Sequence, residues 1–352
     1  MSEDPEGDTL AKGRPTLRLQ DVAEAAGVSI ATASRSLSRT AGVSEEVAER
    51  VRGVARDMGY VANVHARSLA GGASRSVGLV VHEIGDPYFT EIASGVLRVG
   101  AREGLTVQIC HTGRDPQQEL EQIRTLIANR VGAIVIAGSG FVDPADQAAA
   151  KADLASYRRF GGRVAVIGRH HLSADAVLPD NLTGGRAVAR HLLDLGHRRI
   201  AVVAGMRSLT TVADRLAGIE EAFAAAGIPF ADVPVVEAPF TRLGGKQAAE
   251  EILAAHPDVT AILALNDDMA IGVLSVLRDR GIAVPGRMSV TGFDDVAVAV
   301  DLAPALTTVR LPMVDMGEQA LLMALKEPSA RPRRRTAECD LVVRDSTAVP
   351  ES

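Results

Sequence analysis

Short runs of β-branched and small apolar residues alternate with helical segments from residue 76 almost to the C-terminus. The first half of this region contains VGLVVHE, LTVQICH, GAIVIAG and RVAVIG, and the second half contains RIAVVAG, TAILALND and SVTGFDD. Runs of this kind are typical of strands buried on both faces, and their alternation with helices predicts parallel sheets covered by helices on each side. Ligands of such folds bind at the carboxyl ends of the strands. We therefore expect an α/β body of two parallel-sheet subdomains.

Residues 19–38 predict two short helices around a tight turn. Gly27 is expected to end the first helix, and Ser29 is expected to cap the second with its hydroxyl. A third helix fits residues 44–59, with Ser44 as its N-cap and an apolar stripe at helical spacing. This arrangement is typical of a small all-α helix-turn-helix domain, whose second helix enters the major groove of DNA.

The charge of the chain is unevenly distributed. The 352 residues carry a net charge of −6, and the first eleven include four acidic residues and no basic one. Residues 12–75 contain ten Lys or Arg against six Asp or Glu, so the basic part coincides with the predicted helix-turn-helix region. A small DNA-binding module attached to an acidic body explains this asymmetry.

The sequence gives no indication of export or of membrane insertion. No apolar leader opens it and no run of 18 apolar residues occurs in it, so a cytoplasmic location is expected. Cys110 and Cys339 each fall in a predicted strand. We interpret them as buried, unreactive thiols, which agrees with a reducing compartment.

Several motifs, in a fixed order, closely resemble those of LacI/GalR transcriptional regulators over almost the whole chain. Near the N-terminus they are DVAEAAGVS, VSEEVAERV, GYVAN and ARSLA, and in the body they include DPYFTEIASGV, LGHRRIAVVAG, GFDD and PALTTV. The resemblance implies a periplasmic-binding-protein-like body in which the chain crosses between two lobes three times. The implied domains are a disordered acidic tail (1–14), a helix-turn-helix headpiece (15–61), a hinge helix and linker (62–75), an N-terminal effector subdomain (76–175 with 306–328) and a C-terminal effector subdomain (176–305 with 329–352).

The resemblance also implies which residues contact DNA, and Leu69 among them is the wedge that would enter the minor groove beside its dimer mate. Arg35 can form a bidentate contact with guanine, whereas Ile30 and Ala31 offer only apolar surface. The positions that differ from the family's usual residues are Ala33, Ser38 and Ala62. The complete set of implied DNA-contacting residues is Ser29, Ile30, Ala31, Thr32, Ser34, Arg35, Asn63, Ala66 and Leu69.

Only ten aromatic residues occur in the chain, and four of them follow predicted strands, where they would either line a cleft or pack in the core. Asp86 is interpreted as an N-cap, because proline follows it at the first helical position. Leu209 stands where the purine-binding member of the family has arginine, so a sugar or polyol is expected rather than a purine. Two of the implied ligand contacts have alternative structural roles, Asn266 as an N-cap and Arg215 as an exposed helix residue. The implied effector-binding residues are Tyr88, Phe89, Thr211, Arg215, Phe240, Asn266 and Asp294.

These observations predict a sequence-specific transcriptional regulator, in the first place a repressor, whose operator affinity is controlled by a small molecule bound between the lobes. The expected partners are double-stranded DNA with a pseudo-palindromic operator, the effector and a second copy of the chain. No metal, cofactor or catalytic residue is expected. A corepressor-dependent repressor or an activator with a non-sugar effector remains an alternative.

Two other classes of protein share parts of this pattern. A sugar-binding transport protein would have a similar body, but the added headpiece and the missing leader disfavour it. An α/β enzyme is disfavoured because neither a G-x-S-x-G elbow nor a P-loop occurs. Arg331–Arg335 is expected to be a basic surface loop rather than a nucleic-acid site.

Overall fold

The computed structural model of the chain forms two units, Met1–Ser74 and Arg75–Ser352. The described residues are 17–38, 42–60, 74–327, 329 and 331–351. None of the helices in these ranges is long and apolar enough to cross a membrane.

Three short helices form the described part of the first unit: α1 (Leu19–Ala26), α2 (Ile30–Ser38) and α3 (Glu45–Asp57). Gly27 ends α1 in a left-handed conformation with a φ of 64°, which glycine adopts without steric cost. The Ser29 hydroxyl accepts a hydrogen bond from the Thr32 backbone N–H at 3.1 Å, so the predicted cap of α2 is confirmed. Ser44 occupies the N-cap position of α3, but its side chain makes no capping hydrogen bond.

Short strands and longer helices alternate in the second unit. Its strands are β1 (Ser76–Val81), β2 (Thr106–His111), β3 (Ala133–Ala137), β4 (Arg163–Ile167), β5 (Asp175–Pro179), β6 (Ile200–Ala204), β7 (Val235–Glu237), β8 (Ala261–Ala264), β9 (Ser289–Thr291), β10 (Thr308–Arg310), β11 (Arg334–Ala337) and β12 (Asp340–Val342). Its α-helices are α4 (Pro87–Glu103), α5 (Pro116–Ala128), α6 (Ala148–Arg159), α7 (Asn181–Asp194), α8 (Thr210–Ala225), α9 (Arg242–Ala255), α10 (Asp267–Asp279) and α11 (Met313–Leu325).

These elements form two parallel sheets. Six strands in the order β11-β5-β4-β3-β1-β2, with helices α4, α5, α6 and α11, make lobe 1. Four strands in the order β7-β6-β8-β9, with helices α7 to α10, make lobe 2. Every neighbouring pair within either sheet is parallel. The α/β fold class predicted from the alternation of strands and helices is therefore confirmed.

The chain crosses between the lobes three times, after β5, after β10 and after β11. Next to these crossings β10 and β12 form a separate antiparallel pair, in which Val309 is opposite Leu341. The predicted division assigned β5 and β11 to the second subdomain, whereas the structure pairs both with lobe 1. The reason is that the first crossing follows β5 instead of preceding it, and β11 then covers the open edge of β5.

The two cysteines are less buried than the sequence predicted. Cys110 lies in β2 and is half-buried, and Cys339 lies between β11 and β12 and is also half-buried. The prediction that Cys339 is part of a strand is wrong, because the chain turns there to leave lobe 1. Burial raises the pKa of both thiols, to about 11 for Cys339, so neither is activated for nucleophilic chemistry.

Glycine allows the backbones of α7 and α8 to touch. A Cβ on Gly218 would overlap the Leu182 carbonyl oxygen, and a Cβ on Gly185 would overlap the carbonyl oxygen of Arg215. The same reciprocal arrangement joins α4 to α11 through Gly95 and Gly317, and α9 to α10 through Gly245 and Gly272. Thr211 and Arg215 on α8 line a cavity between the two lobes. The close crossing of α7 and α8 therefore helps to position one wall of this cavity.

Substitution of Gly218→Ala is expected to lower the free energy of unfolding of the body by about 1–3 kcal/mol, since the added methyl group forces the two helices apart. Urea unfolding followed by circular dichroism measures this change. The control is Glu220→Ala, an exposed position on the same helix. It should change the unfolding free energy by less than about 0.5 kcal/mol. Equal stabilities of the two variants would contradict the role given to the crossing.

Candidate functional site

A cavity lies where the carboxyl ends of the two parallel sheets face each other. Lobe 1 and lobe 2 each contribute residues from the segments that directly follow their strands. The lining residues are His82, Asp86, Tyr88, Phe89, Arg114, Ser139, Leu209, Thr211, Arg215, Phe240, Asn266 and Asp294.

Arg215 forms the base of the cavity on the lobe 2 side. Its side chain is only 3% exposed, and its guanidinium lies 3.6 Å from the centre of the Phe293 ring. Nε donates to Asn181 Oδ1 at 2.9 Å, Nη2 donates to Asp294 Oδ1 at 2.8 Å, and Nη1 donates to the Leu265 carbonyl oxygen. The alternative in which Arg215 is an exposed helix residue is therefore wrong.

Asp294 is the acidic partner of Arg215 at the cavity base. Burial raises the pKa of Asp294 to about 7, while the neighbouring guanidinium of Arg215 favours the ionised carboxylate. Asp294 has a φ of 107° and Asp295 has a φ of 55°, both in the region that favours glycine. Asp295 accepts a hydrogen bond from Arg310 Nε at 2.7 Å, and its other oxygen lies 2.7 Å from Arg344 Nη2. These ion pairs hold a strained turn that presents Asp294 to the cavity.

A second acid–base pair forms the opposite wall in lobe 1. Asp86 accepts a hydrogen bond from the Tyr88 backbone N–H at 3.0 Å, which confirms it as the N-cap of α4, and its other oxygen accepts from Arg114 Nη2 at 3.2 Å. The Arg114 guanidinium lies 5.9 Å from the centre of the Phe89 ring and 5.3 Å from that of Phe240. Arg114 therefore connects an aromatic ring of lobe 1 with one of lobe 2.

His82 is a neutral histidine in this wall. Burial lowers its pKa to about 3. The unprotonated form has one N–H, and the geometry assigns it to Nε2, which lies 2.9 Å from the carbonyl oxygen of Ser139. Nδ1 then accepts from the Thr112 hydroxyl at 3.1 Å. His82 thus fixes the loop after β3 that carries Ser139.

Backbone and hydroxyl groups join the lobes along one side of the cavity. The Thr211 backbone N–H donates to Ser139 Oγ at 2.9 Å, and the Thr210 N–H donates to the Gly140 carbonyl oxygen at 2.9 Å. Arg169 of lobe 1 and Asp214 of lobe 2 also form a partly exposed ion pair, with a closest N···O distance of 2.6 Å. These groups therefore connect lobe 1 directly with lobe 2 beside the cavity.

The structure brings all seven predicted effector residues into this one cavity. Asn266 has both roles considered for it, because its Oδ1 accepts from the Met269 N–H at 2.9 Å as the N-cap of α10 and it also lines the cavity. His82, Arg114 and Ser139 were missed, although each follows a strand of lobe 1 and the rule on strand ends would have found them. Binding of an effector by the seven residues stays a prediction.

The predicted DNA-contacting residues are only partly described. Ile30 is 51% exposed on α2, and Ala31 and Arg35 are also exposed, while Thr32 and Ser34 are half-buried. Arg35 Nε donates to the Ala31 carbonyl oxygen at 3.3 Å. Ala33 is buried in the headpiece core, so its difference from the family's usual residue changes packing and not base contact. The remaining residues, Asn63, Ala66 and Leu69, together with Ala62, lie outside the described residues.

A buried polar network lies behind the cavity in lobe 1. Glu119 is 1% exposed, and its Oε1 accepts from Gln147 Nε2 at 3.0 Å. Gln147 Nε2 also donates to His170 Nδ1 at 3.0 Å, and His170 Nε2 lies 3.1 Å from the Gly138 carbonyl oxygen. Glu119 Oε2 has no hydrogen-bond partner within the described part of the chain. Burial raises the pKa of Glu119 to about 7.

The raised pKa of Glu119 makes the stability of the body pH-dependent. A folded-state pKa above the unfolded value gives a contribution that is complete below about pH 4.5 and is lost as the pH rises through about 7. Between pH 5 and pH 8 the wild type should therefore lose up to about 3 kcal/mol of unfolding free energy relative to Glu119→Gln, which cannot ionise. Urea unfolding at several pH values measures the difference.

The control for this prediction is Glu121→Gln, an exposed carboxylate on the same helix. Its unfolding free energy should follow that of the wild type across the whole range. If Glu119→Gln also followed the wild type at every pH, the network would not hold a protonated carboxyl group at neutral pH.

Two known domain families match this chain. Residues 18–63 match bacterial regulatory proteins of the lacI family, and residues 189–347 match the periplasmic binding protein-like domain. The transcriptional regulator DegA of Bacillus subtilis is 34% identical over 94% of this chain and 98% of its own length. The transcriptional regulator GalR of Escherichia coli is 35% identical over 89% of this chain and 90% of its own length.

Solved structures have the same fold. A complex of the transcriptional regulator CelR with cellobiose matches with a TM-score of 0.69 at 29% identity, over 95% of this chain and 100% of that one. The lac repressor dimer bound to operator and the anti-inducer ONPF matches with a TM-score of 0.79 at 24% identity, over 94% of this chain and 99% of that one. The resemblance found in the motifs is thereby confirmed, and the chain belongs to the LacI family of bacterial transcriptional regulators.

Proposed function

We propose that this chain is a repressor whose affinity for its operator is set by a neutral sugar or polyol held in the cavity between the lobes. The observation that carries the proposal is that each carboxylate and each guanidinium among the described residues that line the cavity forms an ion pair within the protein. Asp86 is paired with Arg114, and Asp294 is paired with Arg215.

This pairing favours a neutral ligand. A ligand with a net charge would have to break one of the two ion pairs or remain unpaired in a buried site, which costs several kcal/mol. Hydroxyl groups can instead donate to the carboxylates and accept from the guanidinium groups without changing either charge. Tyr88, Phe89 and Phe240 offer aromatic faces for the C–H face of a sugar ring.

Two further observations support a sugar in preference to a purine. Leu209 is 1% exposed and adds an apolar surface to the lining, where the purine-binding relative has a cation. In addition, CelR, which is similar over nearly the whole chain, was solved with cellobiose. We infer that a neutral sugar occupies the cavity of this chain.

For the DNA, we propose that α2 enters the major groove and that Arg35 reads a guanine there, with Ile30 and Ala31 against thymine methyl groups. Asn63, Ala66 and Leu69 are proposed to form the hinge contacts in the minor groove. A homodimer would place two headpieces on a pseudo-palindrome, as expected from the similarity to the lac repressor, which was solved as a dimer on operator. The proposed boundary between headpiece and hinge is residue 61.

The relatives are transcriptional regulators, and we infer that this chain likewise regulates transcription without catalysing a reaction. Because operator DNA of bacteria is in the cytoplasm, we place the protein there. Effector binding is proposed to change the closure of the lobes through the bonds at Thr210 and Thr211. Couplings of this kind are typically about 5–150-fold in affinity.

Removal of the Thr211 hydroxyl tests the cavity without disturbing the core. Its backbone N–H bonds Ser139, but its side chain has no hydrogen bond that holds the fold among the described residues. Thr211→Val should weaken the binding of any sugar that the wild type binds by about 2- to 12-fold. This range corresponds to the loss of one hydrogen bond, which contributes about 0.5–1.5 kcal/mol. Isothermal titration calorimetry on a panel of neutral sugars measures this change.

The matched control is Thr125→Val, which removes an exposed hydroxyl from α5, far from the cavity lining. It should leave the sugar affinity unchanged. A second cavity variant, Phe240→Leu, should reduce the affinity by loss of the aromatic face. Undiminished affinity in both cavity variants would show that the sugar binds elsewhere.

A further inference from the structure

The amino-terminal edge of the lobe 1 sheet has an unusual charge. We define the basic edge as the described residues that lead into its six strands: 75, 101–106, 128–133, 157–163, 173–175, 325–327, 329 and 331–334. These residues include ten Lys or Arg and only three Asp or Glu, a net charge of +7. The body as a whole, residues 75–352, has 29 basic and 34 acidic residues. One edge of an acidic body is therefore strongly positive.

Local ion pairs account for only a small part of this charge. The three acidic residues of the edge each pair with one arginine: Glu103 with Arg102, Glu327 with Arg163, and Asp175 with Arg333. The cations left without a carboxylate partner among the described residues are Arg75, Arg130, Arg158, Arg159, Lys326, Arg331 and Arg334. Seven uncompensated cations on one edge favour binding of a polyanion.

The corresponding edge of lobe 2 provides a comparison within the same molecule. The segments that lead into its four strands are 195–200, 226–235, 256–261 and 279–289. They contain four basic and three acidic residues, so this edge is close to neutral. The excess of positive charge is therefore a property of lobe 1 and not of strand entrances in general.

The basic edge is also where the chain enters the body from the headpiece. Arg75, the first residue of the body, donates from Nε to the Gly104 carbonyl oxygen at 3.2 Å, within the edge. Residues 61–73 separate the described headpiece from Ser74, and a connection of that length spans at most about 50 Å. DNA bound by the headpiece is therefore tethered to the basic edge by a chain segment of at most this length. The cavity, in contrast, is at the opposite ends of the strands.

We propose that the basic edge binds the phosphate backbone of the duplex that carries the operator, in addition to the contacts of the headpiece. This inference rests on the proposed function, since it requires that the headpiece binds DNA. It also changes the interpretation of Arg331–Arg335. The sequence predicted a basic surface loop there, but Arg334 and Arg335 begin β11, so the prediction is wrong for these two residues. Three exposed residues from two separate segments, Arg159, Arg331 and Arg334, provide the test.

The test compares two charge-matched triple variants of the full-length chain. The edge variant has Arg159→Ser, Arg331→Ser and Arg334→Ser. The control variant has Arg186→Ser, Arg190→Ser and Arg278→Ser, which removes the same charge from the surface of lobe 2. The operator is first identified by in vitro selection of DNA with the wild type. Fluorescence anisotropy then gives the affinity for a duplex of about 60 base pairs that carries this operator, at salt concentrations from about 50 to 200 mM.

Each phosphate contact contributes about 0.9 to the slope of log affinity against log salt concentration. The edge variant should therefore have a slope smaller in magnitude by about 2–3 than the wild type, with weaker binding at low salt. The control variant should retain the slope of the wild type. Equal midpoints of thermal unfolding establish that both variants are folded. The single changes Arg159→Ser and Arg334→Ser should each reduce the magnitude of the slope by about 0.9, the value of one phosphate contact.

The possible failures are distinguishable. If the wild type binds the operator and the edge variant has the same slope and affinity as the control, the proposal is overturned and an acidic protein surface becomes the partner to test. If the wild type selects and binds no duplex at all, the proposed function itself fails, and this inference fails with it.

Discussion

The buried guanidinium of Arg215 is the interaction on which the arrangement of lobe 2 depends most. It joins the start of α7 through Asn181, the end of β8 through Leu265 and the turn after β9 through Asp294, and it stacks on Phe293. A buried cation is tolerated only when its donors are satisfied, so these bonds must form together. Because Arg215 also lines the cavity, the group that organises the lobe is one that a ligand would contact.

The two ends of the lobe 1 strands have different chemistry. At the carboxyl ends, which face those of lobe 2 across the cavity, each cavity charge has an opposite partner within its own lobe, which leaves a buried site suited to neutral hydroxyl groups. At the amino ends, seven cations have no carboxylate partner among the described residues, which leaves a surface suited to phosphate. A single sheet thus separates the proposed effector site from the proposed DNA-facing edge.

Much of the fold and cavity could be predicted from the sequence because the signals are local. Strand runs, caps such as Asp86 and turn glycines such as Gly27 depend on neighbours along the chain. The partners of β5 and β11 could not be predicted, because they depend on where the chain crosses. Nor could the basic edge, since its charges come from six separate segments that only the sheet brings together. The position of Arg114 after β2 could have been used, but its pairing with Asp86 and its contact with Phe240 could not be predicted, because both partners are distant from it in sequence.

The central claim is that a neutral polyhydroxylated ligand in a charge-compensated cavity sets the affinity for DNA. The most direct measurement is the operator affinity of the full-length protein in the presence of neutral sugars and polyols, each compared with its phosphorylated or carboxylated counterpart. The account predicts that at least one neutral compound changes the affinity by about 5–150-fold and that its charged counterpart does not. A response confined to the charged compounds would contradict it.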